Sequence, residues 1–324
     1  MTMTSGFWSQ LKKPILALAP LYEVTDTAFR QIVARCGRPD VSFTEFVSVD
    51  GLSNEKSREK MIERFFRFEE IERPLVAQIW GTDPEKFRTV AALIRSLKFD
   101  GIDINMGCPD KTVLAMGAGA ALIKNPKLTK EIVAATKEGA GDLPVSIKSR
   151  LGYDKNTVEE WMGHLAETKP AAITLHLRTM RQMSKVPADW ESARRAGKIA
   201  HDNGILFLGN GDVRDKEDAL KKIEDYDIDG VMVGRGIFGN PWFFNPSKRA
   251  EDVSIKEKLE LLIAHAELFE ALFKGTRPFM TLRKHYQNYA HGFKGAKELR
   301  NELMEAKNAT ELRLKINEYL KTNL

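Results

Sequence analysis

Eight short apolar or β-branched segments recur along the sequence, separated by stretches of helical character. The segments are ILALAP (15–20), VSFTEFV (41–47), PLVAQIW (74–80), GIDINMG (101–107), PVSIKSR (144–150), AAITLHL (171–177), ILFLGNG (205–211) and GVMVGRG (230–236). Between them, residues 83–98 and 125–139 place apolar residues at the 3.6-residue period of a helix. Alternating strands and helices predict a parallel sheet, and eight such units favour a closed (β/α)8 TIM barrel, an α/β fold. A doubly wound sheet is the alternative, but that fold has no need for eight units.

The alternation stops near Asn240 and Pro241, and the sequence from about residue 254 onward is helix-like only. No long flexible linker or low-complexity segment interrupts the chain. We therefore predict two domains. Residues 1–245 would form the barrel, and residues 246–324 would form a small C-terminal all-helical domain.

Composition limits the class of protein. Hydrophobic residues make up 43% of the 324 residues, which is enough for a large core. The only two cysteines, Cys36 and Cys108, exclude a disulfide scaffold and fit a reducing compartment. We expect a cytoplasmic protein, because no apolar run approaches the length of a membrane span. We expect no bound metal, because neither cysteine has a partner at ligand spacing and the histidines are scattered.

The predicted C-terminal domain carries a basic stretch. Between Glu270 and Glu298 the sequence contains six basic residues, five aromatic residues and no acidic residue. Such a stretch is typical of a surface that binds a polyanion, with RNA the leading candidate. A solvated helix face above packed aromatic residues is the other interpretation.

Polar residues stand at the ends of nearly all the predicted strands. In strand order they are Pro20, Glu45, Gln78, Asn105 with Cys108, Lys148, His176, Asn210 with Asp212, and Gly234 with Arg235. The carboxyl ends of the strands form the active-site face of a TIM barrel. We therefore expect these residues to meet at one rim.

The last two strands end in glycine-rich turns, GNGD (209–212) and GRG (234–236). Glycines after strands seven and eight let backbone N–H groups approach a phosphate, and Arg235 could add a charged contact. Plain tight turns are the alternative.

Three side chains suggest chemistry at this rim. Cys108 lies in a Gly-Cys-Pro turn, so a reactive thiol and a small buried side chain are both open interpretations. Lys148 lies inside a strand and needs a partner or an anion there, because burying a bare ammonium is costly. His176 is either a hydrogen-bonded core residue or part of the same site. A flavin fits these groups, since it offers a phosphate, a polar ring edge and an anionic reduced ring.

These residues also carry a family resemblance. The sequence contains, in order, LAPLYEVTDTAFR, FTEFVS, AQIWG, DINMGCP, VSIKSRLGYD, TLHLRT, ADW, LGNGDV and DGVMVGRGIFGNPW, followed by RKHYQNYAHGFKGAKELR. This series resembles the tRNA-dihydrouridine synthase family over nearly the whole chain.

The resemblance implies an FMN-dependent enzyme that reduces the C5–C6 double bond of a uridine in tRNA, with NADPH as the electron source. Cys108 would donate the proton to C5, with Lys148 and His176 also at the catalytic centre. The residues implied to bind FMN are Pro20, Leu21, Tyr22, Gln78, Lys148, His176, Asn210, Gly211, Asp212, Gly234 and Arg235. Asn105 would contact the uracil, and the target base would have to leave its stack.

The remaining expectations concern the partner. We expect Arg178 to contribute to the substrate site and the C-terminal domain to bind tRNA through Arg283, Lys284, Lys294, Lys297 and Arg300. We expect a monomer. Two other functions stay open: an FMN-dependent reductase or dehydrogenase of a free pyrimidine, of the dihydroorotate or dihydropyrimidine type, and a non-catalytic RNA-binding protein on a retained barrel.

Overall fold

The structure is a computed structural model that describes residues 6–323. Nine parallel strands form one sheet. They are β1 (Ile15–Leu18), β2 (Val41–Phe43), β3 (Val47–Ser48), β4 (Leu75–Trp80), β5 (Gly101–Asn105), β6 (Val145–Arg150), β7 (Ala172–His176), β8 (Leu206–Asn210) and β9 (Gly230–Val233).

Eight of these strands close into a barrel. Strand β1 pairs with both β2 and β9, β2 pairs with β4, and each strand from β4 to β8 pairs with the next one along the chain. The ring therefore has no free edge, and the predicted TIM barrel is confirmed. The two-residue strand β3 lies outside the ring and pairs with β4 alone.

All eight predicted segments contain a barrel strand. The segment VSFTEFV differs most from the prediction, because only residues 41–43 pair in the ring. Residues 44–46 lie between β2 and β3, and the backbone N–H of Thr44 still donates to the carbonyl of Val76 in β4 at 3.0 Å.

Helices separate the strands and continue beyond the last one. The α-helices are α1 (Thr27–Cys36), α2 (Val49–Ser53), α3 (Glu55–Phe65), α4 (Pro84–Ser96), α5 (Lys111–Ala115), α6 (Pro126–Ala140), α7 (Val158–Glu167), α8 (Trp190–Asp202), α9 (Lys216–Tyr226), α10 (Ile255–Phe273), α11 (Tyr286–Tyr289), α12 (Ala296–Leu303) and α13 (Ala309–Asn323). Short 3-10 helices cover Gly6–Gln10, Glu70–Glu72, Gly119–Lys124, Arg235–Ile237, Ala250–Asp252 and Phe279–His285.

Two of these helices begin with the same local sequence. Asp83 caps α4 and Asn125 caps α6, and each is followed by a proline at the first helical position. Both side chains accept backbone N–H groups that have no partner inside the helix, and proline has no N–H to leave unpaired. The helices start where the sequence predicts.

The barrel has two apolar layers. Outward-facing strand residues such as Ile102 and Ile147 pack against the surrounding helices, whereas Ile15, Phe43 and Val76 belong to the inner layer. Trp8, only 2% exposed, joins the inner layer from a segment before β1.

Helices α10 to α13 form a separate core that packs on the barrel through Ala28 of α1. Tyr286 and Tyr289 of the basic stretch are buried in this core. These two rings therefore stabilise the helices rather than form an exposed stacking surface. No helix among residues 6–323 is long and apolar enough to span a membrane.

Candidate active site

A cavity of about 630 Å³ opens at the carboxyl ends of the strands. Its size lies within the range of roughly 300–1,000 Å³ that is usual for ligand sites. The sequence-predicted residues that line it are Pro20, Leu21, Gln78, Asn105, Cys108, Lys148, His176, Asn210, Gly211, Asp212, Gly234 and Arg235. The barrel thus brings together side chains from strands far apart in the sequence.

Cys108 lies in a turn held from two sides. Its backbone N–H and that of Gly107 both donate to Oδ1 of Asn105, each at 3.0 Å. Its carbonyl accepts the N–H of Ala120 at 3.1 Å. The side chain is buried, and burial raises the pKa of the Cys108 thiol. The thiol therefore carries its proton at neutral pH.

Asn105 is itself oriented by a neighbour. Its Nδ2 donates to Oε1 of Gln78 at 3.0 Å. The backbone N–H of Gln78 in turn donates to Oγ1 of Thr44 at 3.0 Å. The two amide side chains therefore form one rigid unit in the cavity wall beside Cys108.

Lys148 and Arg150 project from β6 without a carboxylate partner. Nζ of Lys148 lies 3.4 Å from Oδ1 of Asn210, and no ion pair among residues 6–323 includes either cation. Burial lowers the pKa of Lys148 to about 8 and that of Arg150 to about 10. Two desolvated cations on one wall make the cavity a site for an anionic ligand.

His176 is neutral at physiological pH. Burial lowers its pKa to about 2, and the positive charges of Arg150 and Lys148 act in the same direction. Its Nε2 lies 3.1 Å from Nη1 of Arg178, which can only donate. The ring proton is therefore on Nδ1, and His176 is a hydrogen-bonding group rather than a cation.

The turn after β8 requires a glycine. Gly211 has a φ of 134°, and an added Cβ would lie 2.9 Å from Cβ of Ala188. The next residue, Asp212, accepts Nη2 of Arg178 at 2.5 Å and the backbone N–H of Ala188 at 2.8 Å. Arg235, which is largely exposed, lies 3.8 Å from the same carboxylate.

Three residues expected at this site lie elsewhere. Tyr22 is 48% exposed and packs on Phe46 and Phe65, so its ring is outside the cavity. The carboxylate of Glu45 is buried against Arg277 of the C-terminal region. Arg178 is buried beside Asp212 and does not line the cavity.

The basic residues of the C-terminal region have different surroundings. Lys294 and Lys297 are exposed, whereas Lys284 donates to Glu23 of the barrel at 2.9 Å. Arg283 is half-buried. Arg300 is also half-buried and donates to the carbonyl of Ala290.

Sequence reasoning missed Arg150. Its Nε donates to the carbonyl of Gly107 at 2.7 Å, and its Nη1 donates to the carbonyls of Thr179 and Met183, each at 3.1 Å. It thereby connects the Cys108 turn to the loop after β7, from which Ser184 reaches the cavity.

The sequence did contain a signal for Arg150. In SIKSR, Lys148 and Arg150 are two residues apart on a strand, and this spacing puts both side chains on the same face of the sheet.

No group of three or more His, Cys, Asp or Glu side chains in the described part of the chain is arranged to hold a metal ion.

The chain is similar to known proteins over nearly its whole length. The model of the family described as dihydrouridine synthase (Dus) matches residues 17–323. A probable tRNA-dihydrouridine synthase 2 of Bacillus subtilis (strain 168) is 41% identical over 321 residues, which are 98% of this chain and 97% of that protein. A probable tRNA-dihydrouridine synthase of Staphylococcus aureus (strain MRSA252) is 41% identical over 322 residues, 98% of this chain and 96% of that one.

A solved structure shares the fold. The histamine dehydrogenase from Rhizobium sp. 4-9 superposes with a TM-score of 0.54 at 12% identity, over 78% of this chain and 48% of that chain. At this identity the similarity concerns the barrel fold alone. The family match and the 41% identity go further: the chain belongs to the dihydrouridine synthase family.

Proposed function

We propose that this protein reduces the C5–C6 double bond of a uridine in tRNA to dihydrouridine, with FMN in the cavity and NADPH as the electron source. The observation that carries the proposal is the position of a protonated thiol. Cys108 lines the same cavity as the cations Lys148 and Arg150, and burial keeps its pKa above the usual range.

The cavity residues fit FMN. Arg150 is buried and Lys148 is half-buried, neither forms an ion pair with a carboxylate, and an anionic cofactor would offset the cost of their desolvation. The turns at Gly211 and Gly234 border the same cavity and expose backbone to a phosphate. The residues that would hold FMN are Pro20, Leu21, Gln78, Lys148, His176, Asn210, Gly211, Asp212, Gly234 and Arg235, with Tyr22 at the outer edge. When bound, FMN supplies the hydride chemistry, taking hydride from NADPH and giving it to C6 of the uracil.

Cys108 would provide the proton for C5. A general acid must hold its proton until the reaction and release it to a nearby atom. Burial satisfies the first condition, and the hydrogen bonds that Asn105 accepts from the turn fix the position of the thiol. Asn105 would also contact the uracil from the cavity wall.

Lys148 would stabilise negative charge in the cavity, and His176 would position the bound group by a hydrogen bond. Lys148 is a half-buried cation in the cavity wall and would stabilise negative charge on the group bound there. His176 stays neutral and offers its Nδ1 proton as a hydrogen bond. Arg178 would support the substrate site through Asp212 and through the carbonyl of Val186, to which it donates.

The two predicted domains would have different functions. Residues 1–245 would carry out the reduction, and residues 246–324 would capture tRNA through Arg283, Lys284, Lys294, Lys297 and Arg300. The exposed side chains of Lys294 and Lys297 are suited to phosphate contacts. The target uridine would leave its stack to enter the cavity.

A tRNA substrate is favoured over a free pyrimidine. The relatives in Bacillus subtilis and Staphylococcus aureus are named for tRNA and match this chain through its C-terminal helices. A free base would not need the stretch between Glu270 and Glu298, which lacks acidic residues. The protein would act as a cytoplasmic monomer.

The function is tested with purified protein, FMN, NADPH and an unmodified tRNA transcript under anaerobic conditions. Mass spectrometry of the digested tRNA should reveal uridines that have gained two hydrogen atoms. Uridine, uracil and orotate serve as the free-pyrimidine comparison. Turnover of a free pyrimidine without any change in tRNA would overturn the proposal.

A further inference from the structure

A chain of hydrogen bonds runs from the carboxylate of Asp103 to Cys108. Nε2 of Gln78 donates to Oδ2 of Asp103 at 2.7 Å. Oε1 of Gln78 accepts Nδ2 of Asn105 at 3.0 Å, and Oδ1 of Asn105 accepts the N–H of Cys108 at 3.0 Å. Asp103 is 1% exposed and lies one layer below the cavity, on the same strand as Asn105.

Groups of fixed direction stand at both ends of this chain, the accepting carboxylate of Asp103 and the donating backbone N–H groups of Gly107 and Cys108. An ionised carboxylate only accepts hydrogen bonds, so Gln78 must turn its NH₂ group toward Asp103. Its oxygen then faces Asn105, which must in turn present its NH₂ group to Gln78 and its oxygen to the Cys108 turn. The other oxygen of Asp103 accepts Oγ of Ser146 at 2.6 Å.

We propose that Asp103 is a positioning residue, which orients the amides of Gln78 and Asn105 and thereby holds Cys108 in its place for proton donation. The proposal rests on the proposed function, in which these three residues face the flavin and the uridine. Without a fixed acceptor at position 103, the amide of Gln78 loses the partner that sets its direction, and Asn105 is held by its bonds to the Cys108 turn alone. A turned Asn105 would present NH₂ to the backbone N–H groups of Gly107 and Cys108, and the turn would loosen.

Protonation of Asp103 should have the same effect as losing the acceptor. Burial raises the pKa of Asp103 to about 6, while the hydrogen bond from Ser146 and the charge of Lys148 act in the opposite direction. Lys148 is the charged side chain that acts on Asp103 from β6, and β4 presents the neutral amide of Gln78. Below this pKa one carboxyl oxygen of Asp103 carries a proton. If that O–H faces the NH₂ group of Gln78, two donors meet and their hydrogen bond is lost. Hydrogen transfer should therefore fall as the pH drops through about 6.

The first test follows single-turnover hydrogen transfer from the NADPH-reduced, FMN-loaded enzyme to tRNA over a pH range that spans 6. The wild type should lose rate on the acid side. Asp103→Asn should transfer hydrogen about tenfold more slowly, which is the scale expected for losing the hydrogen bond that orients Gln78. Its rate should also lack the decline on the acid side. Ser146→Ala removes a bond that lowers the pKa of Asp103, so its acid decline should move to higher pH.

The second test needs neither cofactor nor substrate. Alkylation of Cys108 by iodoacetamide is followed by mass spectrometry in the FMN-free protein, with buried Cys36 as an internal reference. Asp103→Asn should speed the alkylation of Cys108 severalfold and leave Cys36 unchanged. This readout separates the two proposals, because it applies even if the wild type forms no dihydrouridine.

Asp229→Asn is the matched control. Asp229 is a buried carboxylate before β9 that accepts the N–H of Phe207 at 2.7 Å and lies 3.0 Å from Nε2 of His201. It sits at the opposite end of the barrel, so this variant should keep the wild-type pH profile and Cys108 reactivity. Wild-type values of both readouts in Asp103→Asn would overturn the proposal. If Asp103→Asn does not fold, an unshifted acid decline in Ser146→Ala would overturn it.

Discussion

The guanidinium of Arg277, in the C-terminal helical region, lies 2.6 Å from the carboxylate of Glu45, just after strand β2. Both side chains are almost fully buried, and the same guanidinium lies 3.4 Å from Asp26 and 4.7 Å from the ring centre of Phe273. Glu45 precedes Phe46, which lines the cavity and packs against the small apolar cluster that contains Cys108. One ion cluster thus joins the C-terminal helices to the wall of the candidate active site.

Replacing Arg277 should destabilise the protein strongly. Arg277→Met leaves the carboxylates of Glu45 and Asp26 buried without their cation. Removing one partner of a buried ion pair costs about 3–5 kcal/mol, so we expect the free energy of unfolding to fall by about that amount. Urea titration measures the change.

The control for this variant is another contact between the same two parts. Arg67 is exposed and donates to the carbonyl of Leu272 at 2.8 Å. Arg67→Ala should lower the free energy of unfolding by about 1 kcal/mol or less. An equal fall in the free energy of unfolding in the two variants would mean that the buried ion cluster stabilises the protein no more than the exposed contact does.

Lys148 should matter more for FMN binding than for folding. Lys148→Met keeps an unbranched side chain of similar shape but removes the charge-assisted contact, so the Kd for FMN should rise about 10- to 100-fold. Arg235→Ala should weaken binding less, because Arg235 is largely exposed. Quenching of flavin fluorescence on binding measures both constants.

The FMN-free form of Lys148→Met should be at least as stable as the wild type. The folded-state pKa of Lys148 is about 8, below its value of 10.5 in the unfolded chain, so folding opposes its charge. The unfolded chain therefore binds more protons between these values, and stability of the wild-type apo form should rise with pH across them. Lys137→Met, at a half-buried lysine bonded to the carbonyl of Thr168, should leave FMN affinity unchanged.

Two exposed lysines test the capture of tRNA. Lys294→Glu combined with Lys297→Glu should weaken tRNA binding and lower its salt slope by roughly one unit per lost phosphate contact. Lys284 is left intact in this variant, because it also bonds to Glu23 of the barrel. FMN content and NADPH oxidation should persist.

A second double variant controls for net charge. Lys98→Glu with Lys221→Glu makes the same change of charge at exposed positions of the barrel, before β5 and on α9. It should bind tRNA with nearly the wild-type salt slope. Equal losses in both double variants would point to a general charge effect and against the C-terminal stretch.

The barrel could be predicted because its signals are local. Each strand is a short apolar segment, and residues such as Asp83 and Asn125 mark helix starts within four residues of sequence. The rim residues followed from the rule that strand ends meet at one face. Twelve of the predicted residues, among them Cys108 and Lys148, do line one cavity.

The direction of individual side chains could not be predicted in the same way. Glu45 turns away from the rim to bond to Arg277. These two residues are 232 positions apart in the sequence, so no local pattern indicates the contact. Tyr22 is outside the cavity because the chain bends after Leu21 and its ring packs on Phe46. The link from Asp103 to Cys108 depends on the register of β4 against β5, which places Gln78 opposite Asp103.

The central claim is that Cys108 donates the proton to the uridine, and Cys108→Ala tests it most directly. Cys36→Ala, which removes the other buried thiol, is the control. Both variants are loaded with FMN, reduced by NADPH without oxygen, and mixed with tRNA while flavin absorbance is recorded. Cys108→Ala should bind FMN and be reduced at the wild-type rate, yet transfer hydrogen to tRNA about 10²- to 10⁴-fold more slowly. Wild-type transfer by Cys108→Ala would contradict the account.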